Sequence, residues 1–109
     1  MAGSTSETPV LDLLSNMTAD SIAATTLDPQ TLMLVRIAAL AAVDAPTFSY
    51  VMNLGPAADS GVDADQVRGV LTAIAPIVGS PRVVSATGRI VEAIDVAIEI
   101  AEADAQGEQ

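Results

Sequence analysis

Three side chains that can form hydrogen bonds lie close together near the middle of the chain. Ser49 and Asn53 are four residues apart, and Tyr50 follows Ser49 directly. Positions i and i+4 share one face of a helix. Asn53 can donate a hydrogen bond to a substrate carbonyl or oxyanion, Tyr50 can act as a weak acid, and Ser49 can act as a donor. The alternative is that these residues are satisfied polar groups lining a vestigial pocket or a subunit contact.

The residue types that are missing limit this chemistry. The chain has no cysteine, histidine or lysine. Ser49 is therefore a poor nucleophile, because no neighbouring base can activate it. Thiolate chemistry, disulfides and cysteine or histidine metal sites are excluded. Asp63 and Asp65 are typical of the start of a helix rather than of a metal site. The sequence predicts no metal and no cofactor.

Two of the four arginines are candidates for substrate binding. Arg36 and Arg89 can each pair with the carboxylate of a substrate. The alternative is that they pair with Asp or Glu of the same chain or of a neighbouring chain. Arg36 lies in a predicted helix that contains no acidic residue, so any carboxylate partner must come from another element.

The charge of the chain argues against several partner classes. The net charge is −10, so nucleic acids and anionic membranes are poor partners. The longest apolar run, 32–43, contains Arg36 and is too short to span a membrane. Residues 1–8 lack the basic start of a secretory signal. We therefore expect a cytoplasmic protein.

The elements that hold these residues are all predicted to be helices. We expect a disordered start at 1–8, one helical domain at 9–103 and a disordered end at 104–109. The domain is predicted to be an all-α bundle of about five helices. Cap residues and apolar spacing predict a short helix after Thr8-Pro9, and the segment 17–26 that follows is ambiguous. Four further helices are predicted at about 29–43, 46–60, 64–78 and 81–103. The helix at 46–60 is expected to kink or break at Gly55-Pro56.

Two of these helices have more apolar surface than one core-facing stripe requires. The helix at 29–43 is apolar around its whole circumference. The segment from Ile94 to Ala101 is also broadly apolar. We expect part of this surface to pack on another subunit, so the chain is predicted to be a homo-oligomer.

The order of several short motifs resembles a known family. They are an apolar helix around Arg36, Ala57-x3-Gly61-Val62, an acid-led helix start at 63–71 and the turn Gly79-Ser80-Pro81 followed by Ser85-Ala86. From Asp28 to about Ala93 the chain resembles the carboxymuconolactone decarboxylase and alkyl hydroperoxidase D-like family. The resemblance implies an all-helical fold that assembles as trimers or hexamers.

The same resemblance implies two kinds of reaction. Peroxidase members use a C-x2-C pair and a histidine four residues later, whereas decarboxylase members keep only the histidine. Counted back from Gly61, the two cysteine positions fall on Pro46 and Ser49, and the histidine position falls on Asn53. Every reactive residue of the peroxidase site is thus replaced, and the decarboxylase histidine is missing too.

Three functions remain open at this point. The first is a catalytically silent or repurposed family member that serves as an oligomeric interaction or scaffold protein. The second is a divergent decarboxylase or lactone-type enzyme acting on a small carboxylated substrate. The third is a module that binds an apolar ligand inside the bundle.

Overall fold

The structure is a computed structural model that describes residues 6–107. These residues contain no strand and form an all-α bundle, as predicted. Of the residues predicted to be disordered, 1–8 and 104–109, residues 1–5 and 108–109 lie outside the described part. The helices are α1 (Pro9–Ala24), α2 (Pro29–Ala42), α3 (Thr47–Asp59), α4 (Ala64–Val78) and α5 (Ser80–Gly107).

Side-chain caps and glycines set the ends of the central helices. The Asp28 carboxylate accepts a hydrogen bond from the backbone N–H of Thr31 at the start of α2. Asp63 and Gln66 form a reciprocal capping box at the start of α4. Gly79 ends α4 with a φ of 87°, a conformation that residues with a side chain rarely adopt. The observed bounds of α4 are those that the sequence predicts.

Three helices differ from the predicted boundaries. Helix α1 continues to Ala24 through the ambiguous segment, which contains no glycine or proline. Helix α3 passes through Pro56 without a break. Proline forfeits one backbone hydrogen bond, and here it falls in the last turn of the helix, where little remains to be disrupted. Helix α5 extends to Gly107 and so includes 104–107, which the sequence assigned to a disordered end.

The core is built largely from small side chains. Helix α2 packs against α3, α4 and α5, and it buries Met33, Ile37 and Ala41. The larger buried cluster joins α3 to α5, with Tyr50 among several alanines. Tyr50 and Ile37 are the largest fully buried side chains. Alanines let the helices approach closely enough to enclose Tyr50.

Helix α1 lies at the edge of the bundle. None of its residues is buried. Its large apolar side chains are about half exposed or more, with Val10 at 67% and Leu13 at 58%. No helix in residues 6–107 has the length and apolar character needed to cross a membrane.

Candidate functional site

A cleft of about 470 Å³ lies between α1, α2 and α3. Its walls are mainly apolar, and they include Leu11 and Ile22 of α1, Met33 of α2, and Phe48 and Met52 of α3. Arg36, Ser49 and Asn53 line the same cleft. The structure thus brings together three of the five predicted site residues, although they come from two different helices.

Ser49 and Asn53 present adjacent polar groups on the first two turns of α3. The Asn53 amide nitrogen Nδ2 donates a hydrogen bond to the Ser49 backbone oxygen at 2.8 Å. This bond fixes the amide and uses one of its two N–H groups, leaving its oxygen and the other N–H for a ligand. The Ser49 hydroxyl has no hydrogen-bond partner in the described part of the chain. The pair therefore offers both donors and acceptors.

Arg36 supplies the positive charge of the cleft. Its Nη2 atom donates a hydrogen bond to the Ser21 hydroxyl of α1 at 3.0 Å. Within residues 6–107, no carboxylate lies within salt-bridge distance of this guanidinium. A guanidinium has five N–H donors, so most of its hydrogen-bonding capacity is available to an anion. The predicted alternative, in which Arg36 pairs with a carboxylate of the same chain, does not occur in this part of the structure.

Tyr50 does not line the cleft. It follows Ser49 by one residue, a rotation of about 100° around the helix, and so faces the α3–α5 core. Its side chain is 1% exposed, and its hydroxyl has no hydrogen-bond partner among the described residues. Burial raises the pKa of the Tyr50 phenol; Arg89 partly opposes this effect and Asp44 adds to it. The geometry gives this phenol no contact with the cleft.

Arg89 also lies outside the cleft, where it clamps the turn between α2 and α3. Its Nη1 atom donates to the backbone oxygens of Asp44 and Ala45 at 2.8 and 2.6 Å, and to the Asp44 carboxylate at 3.1 Å. Ser85 donates a further hydrogen bond to that carboxylate. Arg89 therefore pairs within its own chain, as the predicted alternative stated, and fixes the start of the helix that carries Ser49.

Sequence reasoning missed several residues that shape the cleft. Asp44 adopts a φ of 56°, the left-handed conformation that aspartate tolerates better than most residues. The position of Asp44 directly before Ala45-Pro46 was the sequence feature that could have indicated a turn there. Phe48 and Met52 also line the cleft from α3. Met52 lies three residues after Ser49 and four after Phe48, so helical spacing would have indicated both. No local sequence pattern could have shown that α1 lines the cleft, because this depends on how α1 packs against α2 and α3.

The fold and the site together define a class of protein. Residues 6–107 form an all-helical domain, the chain has no cysteine, and a mainly apolar cleft that includes Arg36, Ser49 and Asn53 lies at the start of the third helix. No cluster of three potential metal-binding side chains occurs in residues 6–107. The family model for the carboxymuconolactone decarboxylase family matches residues 9–92. The chain belongs to this family. No curated protein and no solved structure matches it.

The family match extends beyond the resemblance seen in the sequence. It begins at Pro9 and so includes α1, whereas the sequence motifs start at Asp28. Helix α1 is therefore part of the family domain rather than an added segment. Ser49 and Asn53, which the motif count places at a cysteine and the histidine position, both line the cleft. Pro46, at the other cysteine position, is the N-cap of α3 and is exposed.

Proposed function

We propose that this protein binds a small, mainly apolar molecule with one anionic group, such as a carboxylate, in the cleft between α1, α2 and α3. The protein cannot act as a thiol peroxidase on the bound molecule, because the chain has no cysteine. The apolar walls would cover the body of the ligand. Arg36 would pair with its anionic group, and Asn53 and Ser49 would fix its orientation.

The observation that carries this proposal is the placement of Arg36. Its guanidinium lies in an apolar cleft and is bound to one neutral hydroxyl within the described residues. A cation in such surroundings attracts an anion more strongly than it would in water. The chain otherwise has a large excess of acidic groups, so a positively charged cleft is unusual for this protein. The cleft volume is within the usual range for small-molecule sites.

Turnover of the bound molecule would be a further step. A divergent decarboxylase or lactone-type activity would have to rely on charge stabilisation by Arg36 and Asn53, since the chain offers no histidine, lysine or cysteine as a base. The geometry supports binding and orientation directly. The function proposed here is therefore binding.

Isothermal titration calorimetry with two matched probes tests the proposal. The probes are 1-naphthoate, which is anionic, and 1-naphthalenemethanol, which is neutral and of similar size. We expect naphthoate to bind at least tenfold more tightly, and we expect the Arg36→Met variant to lose that difference. The Arg68→Met variant has the same charge change outside the cleft and should behave like the unaltered protein. Equal affinity for the two probes, or an equal effect of the two variants, would refute the proposal.

A second candidate function is that of a self-associating interaction or scaffold protein. In the described residues, eleven side chains form the buried core, whereas eighteen large apolar side chains are exposed. A monomer rarely leaves so much apolar surface in contact with water. Analytical ultracentrifugation tests this candidate, with a trimer or hexamer as the expected species. A monomer at tens of micromolar concentration would exclude it.

A further inference from the structure

The cleft between α1, α2 and α3 is elongated in the direction of α1. The α1 residues that line it all lie on one face of that helix, and they are Leu11, Leu14, Ser15, Thr18, Ala19 and Ile22. From the first to the last of them the helix advances eleven residue steps, or about 16 Å. The lining residues of α3 run from Phe48 to Pro56, which is about 12 Å of helix. A compact ligand would fill only part of this length.

The positive charge of the cleft lies near one end of the α1 wall. The Arg36 guanidinium is held at 3.0 Å by the Ser21 hydroxyl, and Ser21 directly precedes Ile22, the last α1 residue that lines the cleft. From Ser21 back to Leu11 the helix runs for ten residue steps, or about 15 Å. A ligand whose anionic group binds Arg36 therefore has almost the whole α1 wall on one side of that group, toward Leu11.

The rest of the lining carries no charge. Arg36 is the only charged residue among the lining residues that the structure describes. A second charged group on the ligand would lose water without gaining a partner, which excludes dicarboxylates and zwitterions as favoured ligands. The remaining polar lining groups on α1, the Ser15 and Thr18 hydroxyls, belong to exposed residues and can keep their water beside a bound molecule.

The apolar wall of α1 is uncovered in the free protein. Leu11, Leu14 and Ile22 are each about half exposed although they face the bundle across the cleft. Buried Met33 lies at the base of the cleft, and Met52 lines it from α3. Methionine side chains adapt to the shape of an apolar partner. A flexible hydrocarbon chain along this wall would remove apolar surface from water on both sides of the cleft.

We propose that the ligand is a straight-chain monocarboxylate of about ten to twelve carbons, with its carboxylate on Arg36 and its alkyl chain along α1 toward Leu11. An extended chain advances about 1.2 Å per single bond, so a wall of about 15 Å accommodates about twelve bonds. This inference rests on the proposed function, and it adds the shape, the length and the direction of the ligand.

Isothermal titration calorimetry with a series of carboxylates below their micelle concentrations tests the length. The series is hexanoate, octanoate, decanoate, dodecanoate and tetradecanoate. Complete burial of one CH₂ raises affinity about fourfold, and partial burial in this open cleft should raise it about twofold. Dodecanoate should therefore bind about 60-fold more tightly than hexanoate. Tetradecanoate should bind no more tightly than dodecanoate, because its last carbons extend past Leu11.

Two matched variants of α1 test the direction of the chain. Leu11→Ser removes the far end of the wall, so it should weaken dodecanoate about fivefold and leave hexanoate unchanged. Leu13→Ser makes the same change two residues away, at a site that is 58% exposed and does not line the cleft, and it should alter neither affinity. Circular dichroism checks that both variants stay helical, and Leu11→Ala replaces Leu11→Ser if the latter unfolds. Arg36→Met should weaken every member of the series by a similar factor.

The outcomes separate this inference from the proposed function. Affinity that does not depend on chain length, or equal effects of Leu11→Ser and Leu13→Ser, would overturn the inference and leave Arg36 as an anion site. If Arg36→Met changes neither the affinity for dodecanoate nor the preference for naphthoate over naphthalenemethanol, the proposed function fails and the inference fails with it.

Discussion

The Tyr50→Phe substitution provides the most informative test of the core. Tyr50 is fully buried between α3 and α5, and its hydroxyl has no hydrogen-bond partner in the described residues. The substitution removes that oxygen and leaves the ring in contact with the same neighbours. Most tyrosine-to-phenylalanine changes in a core destabilise a protein, because they break a hydrogen bond. Here we expect the opposite sign.

The magnitude follows from the cost of desolvating an unpaired hydroxyl, about 1–3 kcal/mol. Part of this cost remains, because phenylalanine leaves a small void where the oxygen was. We therefore expect the free energy of unfolding to rise by about 1 kcal/mol, which corresponds to an increase in Tm of about 5 °C for a domain of this size.

The assay is thermal and urea denaturation followed by circular dichroism at one fixed protein concentration, because assembly would couple stability to concentration. Ser60→Ala serves as the matched control. The Ser60 hydroxyl donates a hydrogen bond to the Ala57 backbone oxygen at 2.8 Å, so removing it should lower stability by about 1 kcal/mol. The two hydroxyl deletions should therefore change stability in opposite directions.

The same variant predicts a change at alkaline pH. Burial raises the pKa of Tyr50 in the folded protein above the value near 10.0 expected in the unfolded chain. Above that pH the unfolded chain releases the phenol proton while the folded protein retains it, so stability falls as pH rises. Tyr50 is the only tyrosine, and the chain has no lysine or cysteine. The decline that begins near pH 10 should therefore be absent in Tyr50→Phe.

Two results would refute this reasoning about Tyr50. A loss of 1 kcal/mol or more on substitution would mean that the hydroxyl has a partner. An unchanged alkaline decline in the variant would mean that another group causes it. Altered naphthoate binding in Tyr50→Phe would separately contradict the placement of this residue outside the cleft.

Other substitutions test the turn, the helix cap and the left-handed glycine. Arg89→Met should lower the free energy of unfolding by about 2–3 kcal/mol, because it leaves the Ala45 and Asp44 backbone oxygens without their donor. Urea denaturation measures this change. A loss below about 0.5 kcal/mol would show that the hydrogen bonds of Arg89 to the turn are dispensable. Asp63→Ala should cost about 1 kcal/mol by removing the capping box of α4, whereas Asp63→Asn should retain most of the stability; equal losses would contradict the cap. Gly79→Ala should lower Tm because its φ is 87°, although a Cβ there meets only Pro81 at 3.8 Å; an unchanged Tm would show that the turn relaxes.

Much of the fold could be predicted because its signals are local. Asp63 and Gly79 mark the two ends of α4, and Asp28-Pro29 marks the start of α2. Proline was the less reliable signal, because its cost depends on where it falls in a helix. Pro56 lies in the last turn of α3, and the break that was one of the two expected effects does not occur.

The site was less predictable, because it depends on packing between distant elements. Spacing alone placed Ser49 and Asn53 on one face, and that prediction is confirmed by their position in the cleft. Tyr50 was grouped with them by sequence proximity, although one residue along a helix turns the side chain toward another face. The role of Arg89 depends on contacts across 44 and 45 residues of sequence, which no local pattern reveals.

The most direct test of the central claim is to locate a bound anionic probe. In a ¹H–¹⁵N NMR titration with 1-naphthoate, the backbone amides of Ser49 and Asn53 and the Asn53 side-chain amide should shift in a concentration-dependent way. The amides of Thr87 and Val91, which line a separate groove between α3, α4 and α5, should remain unchanged. Shifts confined to the α3–α4–α5 groove, or no shifts at millimolar naphthoate, would contradict the assignment of the α1–α2–α3 cleft as the binding site of this protein.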